Sequence, residues 1–276
     1  MACSGCEKNH MNFNTIKLEY HQEGYATLWL DRAEKYNAFN AEMIQELLHV
    51  LEQLQDDKQL RFLLLRGKGK HFCAGADLQW MQQCAALDYD ANLRDAEELA
   101  ELMYRLYQLP IPTLAVVQGA AFGGAIGLIA CCDMAIGTDD AQLSLSEVRI
   151  GLAPAVISPF VVKAIGERAS RRYAISGERF SGQRACELGL LAESCTAAKL
   201  DNRLNSWINN LLLNSPQAMR ASKALVHEAA RHTLPAELRH YTEQCIAQIR
   251  VSAEGQEGLC AFLEKRPPDW SQEPGS

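Results

Sequence analysis

The sequence predicts an α/β fold that becomes all-helical over its last third. Three observations carry this. "RFLLLRG" and "TLAVV" are short, continuously apolar runs, the pattern of strands covered on both faces. Between such runs lie segments of helical periodicity, such as Met43, Leu47, Leu51 and Leu54. From about Ala197 onward the signals are almost entirely helical.

The elements follow in order. "TIKLEYHQEGYATLWLDR" reads as two strands around a turn at Glu23-Gly24, with Ile16, Leu18, Tyr20 and then Ala26, Leu28, Leu30 alternating with more polar positions. Asn40 is placed to cap the helix "AEMIQELLHVLEQL". "RFLLLRG" is the next strand, and "HFCAGADL" a glycine-containing loop. A long helix runs from roughly Asp88 to Leu109 and is closed by Pro110. "TLAVV" is a buried strand. A helix then begins near Gly124, and strands lie near "DMAIG" and "QLSLS". The recurrence is a loose strand–strand–helix, with no strict sequence repeat.

The chain has 276 residues, 48% of them hydrophobic and 22% charged, enough to bury a core without disulfides or metal. A net charge of −7 argues against nucleic acid or an anionic membrane as the main partner. No apolar run has the length of a membrane span. Several of the ten cysteines, Cys131, Cys132, Cys186 and Cys245 among them, sit in apolar stretches without the spacing of a disulfide framework. They read as reduced thiols of a cytoplasmic protein. Cys3 and Cys6 form a C-x-x-C near His10 but lack a second ligand pair, so no metal site is expected. Residues 1–11 are expected to be a disordered leader or a foreign extension, with Met11 a plausible natural start. The remainder divides into a core over 12–196, a helical region over 197–270 and a tail over 271–276.

"VQGAAFGGAIGLIACCDMAIG" carries almost no polar side chain, yet it has a chemical use. The first N–H groups of a helix have no internal partner and lie at the positive end of its dipole. Glycine lets a ligand approach that backbone closely. The N–H of Gly124 is therefore a candidate oxyanion donor, and the Ala-Gly-Ala turn of "FCAGADL" offers a second at Ala76. The alternative is that both are structural turns. Glu147 follows an alternating strand and precedes the apolar "VRIGLAP". A carboxylate in apolar surroundings has the raised pKa a general acid/base needs. A solvated loop glutamate is the alternative.

Six stretches taken together, "DRAEKYNAFN", "HFCAGADL", "VQGAAFGGAIGLIACCDMAIG", "AQLSLSEVRIGL", "GERFSGQRACELGLL" and "EGQEGLCAFLEKRPPDW", resemble the enoyl-CoA hydratase/isomerase family, the crotonase superfamily, in that family's order from Asp31 to Trp270. The resemblance implies a crotonase-like spiral of β-β-α repeats followed by a helical trimerisation region. It implies an acyl-CoA ligand with its thioester oxygen between the N–H groups of Ala76 and Gly124, and Glu147 as catalytic carboxylate. Substrate-binding positions carried over with it are Lys35, Ala38, Ala74, Asp77, Leu78, Gly123 and Gly127, with Phe262 and Lys265 reaching the nucleotide end of CoA in a neighbouring subunit. For these last two, helix packing and a solvated lysine are the alternative. The implied assembly is a homotrimer or hexamer. No cofactor is implied beyond the CoA of the substrate.

One departure matters. Hydratases of the family hold water between two glutamates, and the first would fall where this chain has Gly127. Single-glutamate members are often double-bond isomerases. A closer resemblance, in "GERASRRYAISGERF", "LSLSEVRIGLAPAVISPFVV" and "ACCDMAIG", is to methylglutaconyl-CoA hydratases of leucine and isovalerate breakdown and their relatives in acyclic-terpene breakdown. It implies a hydratase for a branched, carboxylated enoyl-CoA. On that reading Gly127 opens room near the β-carbon. Arg149 is a candidate partner for a substrate carboxylate, or else a structural ion-pair residue. An isomerase and a non-catalytic acyl-CoA-binding protein are the competing classes.

Overall fold

The computed structural model describes residues 13–230 and 252–271, together with Gln244, Ile246 and Gln248. The expectations for residues 1–11, Cys245 and most of the tail fall outside the described residues, as does the side chain of Phe262.

Two sheets organise the chain. The larger has six strands: β1 (Ile16–Tyr20), β2 (Ala26–Leu30), β3 (Leu63–Gly67), β4 (Thr113–Val117), β6 (Met134–Thr138) and β9 (Glu193–Cys195), in the order β1-β2-β3-β4-β6-β9. Only the β1–β2 pair is antiparallel. The smaller sheet has the order β5-β7-β8, from β5 (Ala120–Phe122), β7 (Gln142–Ser144) and β8 (Phe180–Ser181). Two successive turns of the chain thus lay one strand in the large sheet, one in the small sheet, and then a helix: β4, β5 and α4 (Gly124–Cys131), then β6, β7 and α5 (Ser158–Ser176). This is the strand–strand–helix recurrence the sequence shows, wound into a spiral.

The continuous apolar strands are explained by what covers them. Leu63, Leu65, Ala115 and Val117 face a core shared with α1 (Ala41–Gln55), α3 (Tyr89–Gln108), α4 and α5. Phe62, Leu64, Leu114, Val116 and Ile136 face the opposite way, against Leu200, Leu204, Ile208 and Leu211 of α7 (Leu200–Leu212). The region that begins near Ala197 therefore opens with a helix that completes the core. The helices α8 (Pro216–Ala229) and Ala253–Glu264 follow it.

Local chemistry sets the boundaries. The Asn40 side chain accepts from the Met43 N–H at 3.0 Å, and Asp88 accepts from Ala91 at 2.9 Å, so both expected helix starts are capped. Gly24 turns β1 into β2 with φ +89°. The alternation predicted for these two strands holds only in part. Tyr20 ends β1 at 42% exposure, whereas Thr27 is buried because β2 lies between two strands with both faces covered. Its hydroxyl is satisfied by His21 Nε2 at 2.9 Å.

Among the described residues, Cys73, Cys84, Cys131, Cys132, Cys186, Cys195 and Cys260 are free, and no group of side chains could hold a metal ion. No described helix is long and apolar enough to cross a membrane.

Candidate active site

Parallel strands bring their C-terminal ends to the same edge, and here three such ends converge. β5 pairs in parallel with β7, setting Phe122 beside Ser144. Beyond Phe122 comes the start of α4, and three residues beyond Ser144 comes Glu147. On the other side of β5, Cys73 forms a parallel bridge with Ala121 through Cys73 N–H to Ala120 O (3.1 Å) and Phe122 N–H to Cys73 O (3.1 Å). That bridge carries the loop to Ala76 alongside. The three candidates from the sequence are therefore assembled by one small sheet and its single-residue extension.

The backbone at each donor is spoken for except where a ligand would need it. Gly123 donates to Ser144 O at 2.9 Å, and its carbonyl accepts from Ile126. The N–H of Gly124, the first residue of α4, has no partner among the described residues. Ala76 bridges Phe39 in parallel: Phe39 N–H donates to Gly75 O and Asp77 N–H to Phe39 O, both at 2.8 Å. Successive residues of an extended segment face opposite ways. Gly75 and Asp77 are turned toward Phe39, so the N–H of Ala76 is turned away from it, again without a partner among the described residues.

Glu147 opens a short 3-10 turn, Glu147–Ile150. Its carboxylate lies against Gly123: a Cβ built there would sit 3.2 Å from Oε1. Gly123 has φ +55°, so this position requires glycine both for its backbone angle and for the close approach. Burial raises the Glu147 pKa above the ordinary carboxylate value, opposed only by a hydrogen bond from its own backbone. Its Oε2 is buried with no hydrogen-bond partner. A half-buried carboxylate with one orphaned oxygen, lying against the glycine that precedes the Gly124 donor, is equipped to take up and return a proton.

The turn is tethered from behind. Ser144 Oγ and Arg149 Nε both donate to Gly177 O, at 3.0 Å each. Arg149 thus spends one N–H holding the Glu147 turn through a carbonyl oxygen, which is neither the substrate contact nor the ion pair expected of it. Asp77 accepts from Gln79 N–H at 2.8 Å, at the start of α2 (Leu78–Ala85), and pairs with Arg32 at 3.0 Å, so its carboxylate serves the loop's shape. Lys35 is exposed at the end of a 3-10 turn, Ala38 is buried with its carbonyl on Arg32, and Ala74 donates to Tyr36 O. Leu78 is 75% exposed at the start of α2, and Ile150 and Leu152, just past Glu147, are also exposed. Lys265 lies at the end of the helix Ala253–Glu264, which packs against α8.

Gly127 requires a correction. It does not open a space near the reacting carbons. A Cβ there would lie 2.3 Å from Ile157 Cγ2 and 3.1 Å from Met103 Sδ. The position is a buried contact between α4 and the residue that leads into α5. Where a second glutamate would begin, this protein has a hydrocarbon wall.

Two residues that the sequence did not single out complete the site. Asn37, fully buried at φ +55°, accepts from Arg32 N–H and donates to the carbonyls of Lys68 and His71 at 2.9 and 2.8 Å. Phe39 touches both donor segments, and is taken up below. Asn37 lies within "DRAEKYNAFN", where an amide close to charged residues gives no sign in the sequence that it is buried.

Two backbone donors without partners among the described residues, one of them next to the Gly123 that the Glu147 carboxylate approaches, define a class of site, one that can stabilise an oxyanion next to a carbon that gains or loses a proton. The comparisons give the family. A profile described as Enoyl-CoA hydratase/isomerase matches residues 20–273, and the chain belongs to this family. The crystal structure of an enoyl-CoA hydratase from Shewanella pealeana superimposes with a TM-score of 0.88 at 46% identity, covering 94% of this chain and 96% of that one. A putative enoyl-CoA hydratase from Thermus thermophilus is 32% identical over 243 residues, 88% of this chain and 96% of the relative. A hydroxycinnamoyl-CoA hydratase-lyase from Pseudomonas fluorescens is 34% identical over 216 residues, 76% of this chain and 77% of the relative. The crotonase fold expected from the sequence is thus the fold of the chain.

Proposed function

We propose that the protein hydrates an enoyl-CoA, with Glu147 as its one acid/base and the N–H groups of Ala76 and Gly124 as donors to the thioester oxygen. The observation that carries this is the orphaned Oε2 of a Glu147 carboxylate that lies against Gly123, the residue before the Gly124 donor. Glu147 accepts a proton from water as the water oxygen bonds to C3. The electron pair of the double bond moves toward the thioester, and the resulting enolate oxygen is held by the two N–H groups. Glu147 then returns the proton to C2, on the same face. The donors meet more charge in the enolate than in the substrate, so they stabilise the transition state selectively.

The acyl group we propose is branched and carboxylated, a 3-methylglutaconyl or isoprenoid glutaconyl chain. Its support is the likeness of the "PAVISP" region and its neighbours to hydratases of that type. Gly127 no longer contributes to that argument. The hydrocarbon wall of Ile157 and Met103 favours a second reading, a double-bond isomerase, because one base suffices to move one proton between carbons. No cofactor is needed for either. Assembly as a trimer or a pair of trimers, with Phe262 and Lys265 reaching a neighbour's CoA, belongs to the same proposal.

Absorbance of the conjugated enoyl thioester separates the readings. Hydration of crotonyl-CoA, 3-methylglutaconyl-CoA or an isoprenoid glutaconyl-CoA makes it fall. Isomerisation of a 3-enoyl-CoA makes it rise. A faster rise than any fall establishes the isomerase, and no change with any ester removes both enzymatic readings.

A further inference from the structure

We infer that Phe39 is a positioning residue that sets the spacing of the two oxyanion donors. The inference rests on the reading of Ala76 and Gly124 as donors to a thioester oxygen. Phe39 is in direct contact with both donor segments. Its backbone makes two 2.8 Å hydrogen bonds to the residues flanking Ala76, which fix the direction of the Ala76 N–H. Its ring lies under Gly124: a Cβ built on Gly124 would come within 3.3 Å of Cε2 and 3.6 Å of Cδ2. The side chain is 2% exposed and belongs to the main core, so the ring is not free to swing away.

The physical need is plain. The donors come from segments about fifty residues apart in sequence, and two N–H groups must converge on one oxygen to within a few tenths of an ångström. The Cys73–Ala121 bridge aligns the two segments at their base. Beyond it, Gly75 is still in contact range of Phe122 O, since a Cβ there would lie at 3.4 Å. Beyond that contact Phe39 joins the two segments, its backbone on one side and its ring on the other. Gly124 has no positive φ, so its lack of a side chain is explained by this ring contact and by ligand access rather than by backbone angle.

The test uses Phe39→Leu, which keeps the two backbone bonds and removes the ring. The readout is the absorption maximum of an aminocinnamoyl-CoA bound to the protein, a conjugated thioester whose band moves to the red when its carbonyl oxygen is polarised. The wild type is expected to shift the band. The variant is expected to lose most of that shift and about tenfold in kcat, with KM changed less than about twofold and the fold intact by thermal melting. A second measurement couples the ring to Gly124. Gly124→Ala pushes a methyl toward the ring and should reduce shift and kcat in the wild type, yet add little in the Phe39→Leu background, where there is room. Retention of shift and kcat in folded Phe39→Leu, or strictly additive losses in the pair, overturns the positioning role. A wild type that produces no shift overturns the donor reading itself, and the inference with it.

Discussion

On the proposed reading the chemistry turns on Glu147, and its setting makes opposite demands on activity and stability. Glu147→Gln is expected to lower kcat by at least roughly 10²-fold while acyl-CoA still binds. Steady-state kinetics with calorimetric binding checks this, and near-normal turnover would require another base. Its folded-state pKa is raised by burial, so the folded state holds the proton more tightly than the unfolded chain. Stability is then highest below the ordinary carboxylate value and falls as pH rises through the raised one. At neutral pH the buried charge is a cost, so Glu147→Gln should raise the melting temperature there and change it little below about pH 4. Gly127 gives the converse case. Gly127→Ala places a methyl into Ile157 and should destabilise by about 1–3 kcal/mol. Ile157→Ala in the same chain should recover part of that loss, and a chemical denaturation cycle measures the recovery. Gly127 and Glu147 are both visible in the sequence, but what fills the space at Gly127 comes from thirty residues away. No local pattern reports that, which is why the expected cavity proved to be a packed contact. Phe39 was hidden for a related reason: a single bridge and a ring contact leave no periodicity to read.

At the scale of elements, the chain makes its site from strand ends rather than from the strands' side chains. The long elements were legible because each repeats a pattern: α1 and α3 by helical period and cap, β3 and β4 by unbroken apolar character. The small sheet was less so. β7 was legible in the alternation of "QLSLS", but the three residues of β5 are too few for a pattern to declare itself, and α5 was obscured by its Pro and Gly positions. β5 also depends on a titratable group. The Ala120 N–H donates to His71 Nδ1 at 2.9 Å, so Nδ1 must be unprotonated. Burial, and then the charge of Lys70, lowers the His71 pKa, and the Tyr36 ring packs edge-on against it. The unfolded chain therefore takes up this proton at higher pH than the folded one. The stabilisation is fully present above the ordinary value of 6.5 and is lost as pH falls through the lowered folded value. His71→Gln should flatten the melting temperature against pH across that window. An unchanged slope would mean that other groups set it.

The whole molecule is closed by arginines that cross between its ends. Arg61, on the approach to β3, donates to the carbonyls of Leu212 (2.7 Å), Asn214 (3.0 Å) and Trp270 (3.0 Å). Arg220 of α8 answers in the other direction, to the carbonyls of Asp57 (2.9 Å) and Leu60 (2.8 Å). Trp270 seals the arrangement, its Nε1 donating to Leu213 O and its ring against Gly258. Burial lowers the pKa of both guanidinium groups, yet each keeps its charge at any ordinary pH and relies on carbonyl oxygens. The helix Ala253–Glu264, with Lys265 at its end, is thereby held to the core at a distance in sequence that no motif could disclose. Arg61→Met keeps the stem and removes the donors, leaving the three carbonyls short of a partner at about 1–3 kcal/mol for each one that stays buried. Hydrogen exchange should then accelerate over 252–271 and the end of α7 while β4 and α4 stay protected. If Lys265 acts on the nucleotide end of a neighbour's ligand, the same variant should raise KM for CoA esters and leave short pantetheine thioesters unaffected. Exchange that rises evenly across the chain would show that Arg61 supports the core as a whole instead of fastening its C-terminal end. An equal rise in KM for both kinds of ester would separate that end from the nucleotide, and would leave the donors and Glu147 as the full extent of the site.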